Sequence, residues 1–304
     1  MPQNADHKAV LSRTSAFRLR RLNRKLHVSD LPVIRQVGFA VRTAGRSELE
    51  HMSDFELFRT SFNDVADLYD EVRPGYQEFV IDEICSFAGM TIDSRILEIG
   101  CGTGQITLPF ARRGYSILGL EPGSTMAALA IKNCTPYPNV DVLQTTFEKW
   151  PLPAETFELV LSAQAFHWIE PYSGCEKAAT ALRPGGSIAL VWNNDVSHDT
   201  PFYKATEPIY DRYMPSEGST DRTRACIHEA LAKAFHEIEE IRHPWERTYS
   251  SSEYIKLLKT YSDYQRLPEP SRADFFRAIA DVIGRTGNAV TRRYETQVVL
   301  ARKI

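Results

Sequence analysis

The spacing of apolar residues along this chain changes period several times, and each change marks an element. Val80, Ile84, Phe87 and Ala88 fall at i, i+4, i+7 and i+8, one face of a helix, and Gly89 is a natural stop for it. The short apolar run Arg95–Ile99 suits a buried strand and leads directly into Gly100-Cys101-Gly102-Thr103-Gly104. A helix is expected from Gln105 to Arg113, closed by Gly114, with Pro109 late for its first turns. Ile117 to Leu120 reads as a second strand ending in Glu121, and Ser124 is placed to cap the helix after it. Val140–Leu143, Phe157–Leu161 and Ile188–Trp192 read as strands three, four and five, with helical segments between them. Strands alternating with helices imply a parallel sheet covered on both faces. After Trp192 the alternation breaks. Residues 199–235 read as mostly helical, and Ile238–Ile241 as a strand with a more polar continuation to Tyr249. Two helical stretches follow, Glu253–Tyr264 and Arg272–Ile283, and Thr296–Ala301 is the final strand.

Composition narrows the class. With 43% hydrophobic and 25% charged residues, the 304-residue chain suits one well-packed α/β domain with insertions, or two small domains. A net charge of −3 argues against a general nucleic-acid binder, and no apolar run is long enough to span a membrane. The five cysteines are scattered, show no zinc spacing and read as reduced thiols of an intracellular protein, and no metal site is expected. Residues 1–52 stand apart from the domain at 53–304, because Arg18, Arg20, Arg21, Arg24 and Lys25 cluster there and acids are few. Three readings compete for this segment: a disordered tail or extension ahead of Met52, an organelle transit peptide, or a basic arm for an anionic partner. The first places the protein in the cytoplasm, the second in an organelle. Oligomeric state is left open.

The strand–Gly-x-Gly-x-Gly–helix unit carries the chemistry. Glycines let the backbone turn sharply and approach a ligand, and the helix that follows presents unpaired N–H groups. Glu121 ends the next strand, where an acid accepts hydrogen bonds from both hydroxyls of a ribose. A nucleoside-containing cofactor is therefore expected at the carboxyl ends of the sheet. A dinucleotide fingerprint would need glycine where Gln105 stands, and Glu98 would repel a pyrophosphate while attracting a cationic group. An NAD-dependent oxidoreductase and a non-catalytic cofactor-binding module remain as alternatives.

Glu98–Gly104 resembles the first motif of the class I S-adenosylmethionine-dependent methyltransferases, Leu120-Glu121-Pro122 their second, and Leu182-Arg183-Pro184-Gly185-Gly186 the turn before their fifth strand. These matches cover about residues 60–195. Phe62–Tyr69 with Arg73-Pro74-Gly75-Tyr76, and Ser162–Trp168, are similar to a small-molecule branch that includes trans-aconitate methyltransferases. The resemblance implies a Rossmann-like, seven-stranded, mostly parallel sheet with helices on both faces, an antiparallel last strand, and a helical insertion at about 199–285 that serves as lid or substrate pocket. It implies S-adenosylmethionine as cofactor, with Glu98, Gly100, Gly102 and Gly104 around its methionine part and Glu121 on its ribose. Thr146 and Phe147 would flank the adenine; Ser162, Ala163 and Gln164 would border the methionine and sulfonium; Tyr69 and Arg73 would close over the cofactor. Methyl transfer to a carboxylate or hydroxyl oxygen of a small molecule is the implied reaction. His167 is the candidate base should the nucleophile carry a proton. Tyr69, Tyr261 and Tyr264 are candidates for a substrate pocket. Motifs of amide, nucleobase-amino and cytosine-C5 methylation are missing, which weighs against nucleic-acid and protein-amide substrates.

Overall fold

A computed structural model describes residues 61–214, 220–265 and 267–304, so the basic segment 1–52 and its three readings lie outside the described residues. A 3-10 turn at Ser61–Val65 leads into α1 (Ala66–Val72) and α2 (Glu78–Phe87). Then follow β1 (Arg95–Ile99), α3 (Thr107–Arg112), β2 (Ser116–Glu121), α4 (Ser124–Cys134), β3 (Val140–Gln144) and β4 (Phe157–Ala163). α5 (Pro171–Ala181) precedes β5 (Leu182–Asp195). α6 (Pro201–Tyr213) and α7 (Thr220–Ala234) follow, then β6 (Phe235–Ser250), α8 (Ser251–Lys259), α9 (Ser262–Gln265), α10 (Ser271–Arg285) and β7 (Ala289–Lys303).

The seven strands form one sheet in the order β3-β2-β1-β4-β5-β7-β6. The first five run parallel; β7 pairs antiparallel with both β5 and β6. The fold class is the one the alternation of elements implied. Both faces are covered, and the side-chain period of two in the strands shows why. Leu97 and Ile99 of β1, Leu118 and Leu120 of β2, and Ile188 and Leu190 of β5 pack against Ala178 of α5 and Leu231 of α7. Ile96, Ile117, Leu159, Ala189 and Val191 pack on the other face against Val80, Ile81 and Ile84 of α2 and Phe110 of α3. Glu98 shares the second face with Ile96, a carboxylate inside an apolar layer. A third apolar cluster joins α6, α8 and α10 to Tyr249, Val290 and Tyr294 on β6 and β7.

Several local expectations shift. α3 begins at Thr107, so Pro109 is its third residue, where the missing N–H has no intrahelical partner to lose. Ser124 does not cap α4: Gly123 holds that position, and the exposed N–H of Thr125 is taken by Asn63 Oδ1 at 3.0 Å. The stretch 253–264 breaks at Thr260 into α8 and α9, and Ser250 with Glu253 forms a capping box ahead of α8. β5 begins earlier than expected because the turn Arg183–Gly186 joins it, with regular pairing to β4 resuming at Ser187. β6 takes in the polar continuation expected to Tyr249 and starts at Phe235, whereas β7 begins seven residues before its expected start.

Candidate functional site

The chain lays down β1, β2 and β3 toward one edge, then crosses to place β4 on the other side of β1. The loops leaving β1 and β4 therefore diverge, and a cleft opens at the strands' carboxyl ends, the position open α/β sheets use for ligands. Its larger part, about 680 Å³, is lined by Gly100, Gly102, Glu121, Thr146, Phe147, Ala163 and Gln164, with Phe62, Tyr69, Met126 and Trp168 completing the walls. A second chamber shares Tyr69, Gly100, Gly102, Ala163 and Gln164 and adds Arg73, Tyr76, Glu98, Asn193, Tyr261 and Tyr294.

The glycine loop is shaped by steric need. Gly100 has φ +70°, and a Cβ there would sit 2.4 Å from Cβ of Ala165 in the loop after β4. Gly100 and Cys101 both donate their N–H to the Leu120 carbonyl, which ties the loop to the end of β2. Across from it, Gln164 holds a left-handed backbone at φ +57°, fixed by its N–H to Val191 O at 2.9 Å and its side-chain amide to Asn193 O at 3.1 Å. A non-glycine residue in that region is uncommon and clusters at functional sites.

The two acids differ. Glu121 ends β2 with Oε2 accepting from Gly102 N at 2.9 Å and Oε1 from Gly123 N at 2.8 Å. Those backbone donors aim the carboxylate on the cleft wall, and its oxygens are acceptors. Glu98 is 1% exposed, and its Oε2 has no hydrogen-bond partner among the described residues. Burial pushes its carboxyl up to about 7, with the Thr107 hydroxyl opposing and Glu121 adding to the rise. A buried carboxylate with an unmade hydrogen bond is costly, and a cationic donor in the second chamber would relieve it. A nucleoside with a cationic tail fits this pair: Glu121 and Phe147 in one chamber, Glu98 in the next.

Arg73, at the carboxyl end of α1, closes the second chamber. Its guanidinium lies 3.8 Å from the Tyr261 ring centroid and 4.9 Å from that of Tyr69, and it donates to Thr260 Oγ1 at 2.8 Å and Thr260 O at 2.9 Å. Thr146 and Phe147 follow β3 on the cleft wall, and Lys177 of α5 holds that loop from behind. Its ammonium donates to Glu148 O and Trp150 O at 3.0 and 2.8 Å and sits 5.1 Å from the Phe147 ring centroid.

Three of the expected site residues do not line the cleft. Gly104 closes the loop with its N–H on Cys101 O, and Ser162, 1% exposed, donates to the Ile99 carbonyl and so braces β1 against β4. His167 lies on a 3-10 turn at Phe166–Trp168; its ring packs 4.9 Å from Trp168, and its Nδ1 accepts from Trp192 Nε1 at 3.4 Å. Tyr264 is absent from the walls as well, stacked on Phe275 in the third cluster. Tyr76, which ends the Arg73–Tyr76 motif without an expected role, is on them, as are Asn193 and Tyr294, which no motif marks. Among the described residues no group of His, Cys, Asp and Glu gathers to hold a metal, and no helix is long and apolar enough to cross a membrane.

Comparison with known proteins agrees with this geometry. Residues 97–190, from β1 into β5, match the methyltransferase domain family. An uncharacterized methyltransferase of Mycobacterium tuberculosis is 34% identical over 138 residues, 44% of this chain and 52% of that protein. The chain thus spans about half the length of such mycobacterial relatives. An uncharacterized methyltransferase-like protein of Schizosaccharomyces pombe is 30% identical over 226 residues, 72% of this chain and 82% of that one. Among solved structures, phosphoethanolamine N-methyltransferase 2 of Haemonchus contortus, solved with phosphomonomethylethanolamine and S-adenosylhomocysteine, has TM-score 0.50 at 15% identity over 83% of this chain and 60% of that chain. The cyclase SpnF has TM-score 0.52 at 17% identity over 83% and 97%. A cyclase and a methyltransferase on one fold show that the sheet alone does not choose the reaction. The extent of the fission-yeast match shows the family: the chain belongs to the class I S-adenosylmethionine-dependent methyltransferase family.

Proposed function

We propose that this chain transfers a methyl group from S-adenosylmethionine to an oxygen, carboxylate or hydroxyl, of a small molecule, within the branch that includes the trans-aconitate methyltransferases. The observation that carries this reading is Glu98: a buried carboxylate with one unbonded oxygen on the wall of a chamber that opens beside the glycine loop. It suits a cationic amino group and disfavours a pyrophosphate. Glu121 would take the ribose hydroxyls, with Thr146 and Phe147 against the adenine. Gly100, Gly102, Ala163 and Gln164 would surround the sulfur end, where the bound cofactor supplies a methyl group already made electrophilic by positive charge.

The protein's own task is to align the acceptor oxygen and keep water out. Tyr69 and Arg73 do this from α1, and Tyr261 from the helical insertion. A carboxylate acceptor carries no proton at neutral pH and needs no base. His167 fits a supporting role better than that of a base. Its Nδ1 accepts from Trp192, and its ring packs against Trp168 of the cleft wall.

Calorimetric titration with S-adenosylmethionine, S-adenosylhomocysteine and NAD, on the wild type and Glu121→Ala, tests the reading. Micromolar binding of the first two, weakened roughly tenfold or more by the substitution, is expected from the loss of charge-assisted hydrogen bonds. Preference for NAD, or no binding of either sulfur compound, would overturn it. Binding without methyl transfer to any of a range of carboxylic acids and phenols would favour a non-catalytic module.

A further inference from the structure

Across the outer half of the sheet a row of polar side chains runs inward to the second chamber. Asn193, near the end of β5, continues the sheet face of Ala189 and Val191, the face that bears Glu98. Its register partner on β7 is Thr296, which is fully buried, and Trp245 on β6 lies diagonally across from Thr296, opposite Tyr294. Hydrogen bonds join the three. Trp245 Nε1 donates to Thr296 Oγ1 at 2.8 Å, and Thr296 Oγ1 donates to Asn193 Oδ1 at 2.5 Å. The Trp245 ring also stacks on Tyr294 at a centroid distance of 4.3 Å, which fixes its plane.

This chain of donors has one direction. An indole N–H only donates, so Thr296 accepts there, and the single proton of its hydroxyl goes to Asn193. Turning the amide over would set its N–H₂ against an oxygen that already receives the indole proton, and the buried hydroxyl would lose its acceptor. Oδ1 is thereby held toward β7. Nδ2 faces the other way, toward the Gly75 carbonyl between Pro74 and Tyr76 of the chamber wall, and Asn193 is itself a wall residue. That carbonyl is 3.5 Å away, the limit of a hydrogen bond, so the amide protons are weakly used among the described residues. The backbone carbonyl of Asn193 takes the Gln164 side chain at 3.1 Å, which braces the loop after β4 as well. The chamber that holds the Glu98 carboxyl therefore also holds a neutral donor of fixed direction. The two suit the two ends of an amino acid, its ammonium at Glu98 and its carboxylate at the amide.

We propose that the Asn193 amide donates to the carboxylate of the cofactor's amino-acid end, and that Thr296 and Trp245, which line neither chamber, are positioning residues that decide which end of the amide faces it. The inference rests on the methyltransferase reading. It extends the cofactor site from the glycine loop to the edge strand β6, across two strands that carry none of its motifs.

Calorimetry on the full chain compares S-adenosylhomocysteine, its decarboxylated form with a 3-aminopropylthio tail, and 5′-methylthioadenosine, which lacks both the amino group and the carboxylate. Asn193→Ala should weaken S-adenosylhomocysteine about tenfold and leave the other two within about twofold. Asn193→Asp has the same shape but sets a carboxylate against a carboxylate. It should weaken S-adenosylhomocysteine further and hold the aminopropyl compound at least as well as the wild type does. Thr296→Val, which keeps the shape and removes the hydroxyl, should lose S-adenosylhomocysteine affinity several-fold, and Thr296→Ser should restore it. Trp245→Phe keeps a ring on Tyr294 and removes the indole proton; it should show a smaller loss of the same selectivity, and tests the same chain of donors should Thr296→Val not fold. The proposal is overturned if Asn193→Ala weakens all three ligands alike or none of them, or if Asn193→Asp binds S-adenosylhomocysteine as the wild type does. Wild-type affinity in both Thr296→Val and Trp245→Phe, or an equal loss in Thr296→Ser and Thr296→Val, removes the positioning role. Failure of the wild type to bind any of the three is a different result, and removes the methyltransferase reading itself.

Discussion

Glu98 makes the cofactor affinity depend on pH in a definite direction. Burial moves its carboxyl from 4.5 to about 7 in the free protein. Between those values the native chain holds a proton that the unfolded chain has released, so Glu98 costs stability progressively as pH rises through this window. At roughly 1.4 kcal/mol per unit the full cost is about 3 kcal/mol. A cationic amino group beside Glu98 reverses the preference, since it binds best to the ionised carboxylate. Below about pH 7 the proton must leave on binding, and the limiting penalty is about tenfold in affinity per pH unit. Cofactor affinity should therefore rise about tenfold between about pH 6 and about pH 8 and flatten above that. Two neighbours of Glu98 lie outside the window, because burial holds Tyr76 and Cys101 well above their ordinary values. Titration of S-adenosylhomocysteine in two buffers of different ionisation enthalpy reads both the affinity and the protons released, close to one near pH 6 and close to none near pH 8. Glu98→Gln, which cannot titrate, should lose the dependence. A flat profile in the wild type, or the same slope in Glu98→Gln, would refute the assignment of Glu98 to the amino group.

Three further perturbations test other parts of the site. Gly100→Ala places a Cβ 2.4 Å from that of Ala165 at a positive φ, whereas at Gly102, also positive, the nearest atom is 3.5 Å away. Thermal unfolding should show Gly100→Ala losing at least about 2 kcal/mol and Gly102→Ala only about 1, from backbone strain alone; equal losses would discredit the close approach of the two loops. Lys177→Met removes two hydrogen bonds and a cation over Phe147, and should lower S-adenosylhomocysteine affinity several-fold with about 1 kcal/mol of stability, a result that unchanged calorimetry would contradict. His167→Ala should lower turnover of a carboxylate acceptor by less than about tenfold, well short of the loss expected of a general base; a hundredfold fall at saturating substrate would restore His167 to that role.

The first five strands and the cofactor loop were legible because short-range physics writes them into adjacent residues. A strand buried on both faces, as most of β1, β2, β4 and β5 is, must be largely apolar, and a loop that passes within contact distance of Ala165 must be glycine. Glu121 was legible for the same reason, as the acid that ends β2. What the chain hides is built by pairing distant segments. The first half of β7 reads as polar, yet Val290, Arg292, Tyr294 and Thr296 alternate as its buried positions. Arg292 and Thr296 sit inward because Asp195 and Asn193, about a hundred residues earlier, are there to receive them. Ser162 was read as a ligand residue from its motif, but its hydroxyl answers a carbonyl on β1. His167 was singled out as the one histidine in a motif, although only the fold shows that it faces Trp192. Tyr261 and Tyr264 looked equivalent, three residues apart at helical spacing. The break at Thr260 turns one toward the chamber and stacks the other on Phe275. The division follows function. Every class I relative must hold the same cofactor, so that site can be local and motif-like. The second chamber is assembled from α1, the insertion, β5 and β7, so substitution in any one of them can reshape it without disturbing the glycine loop.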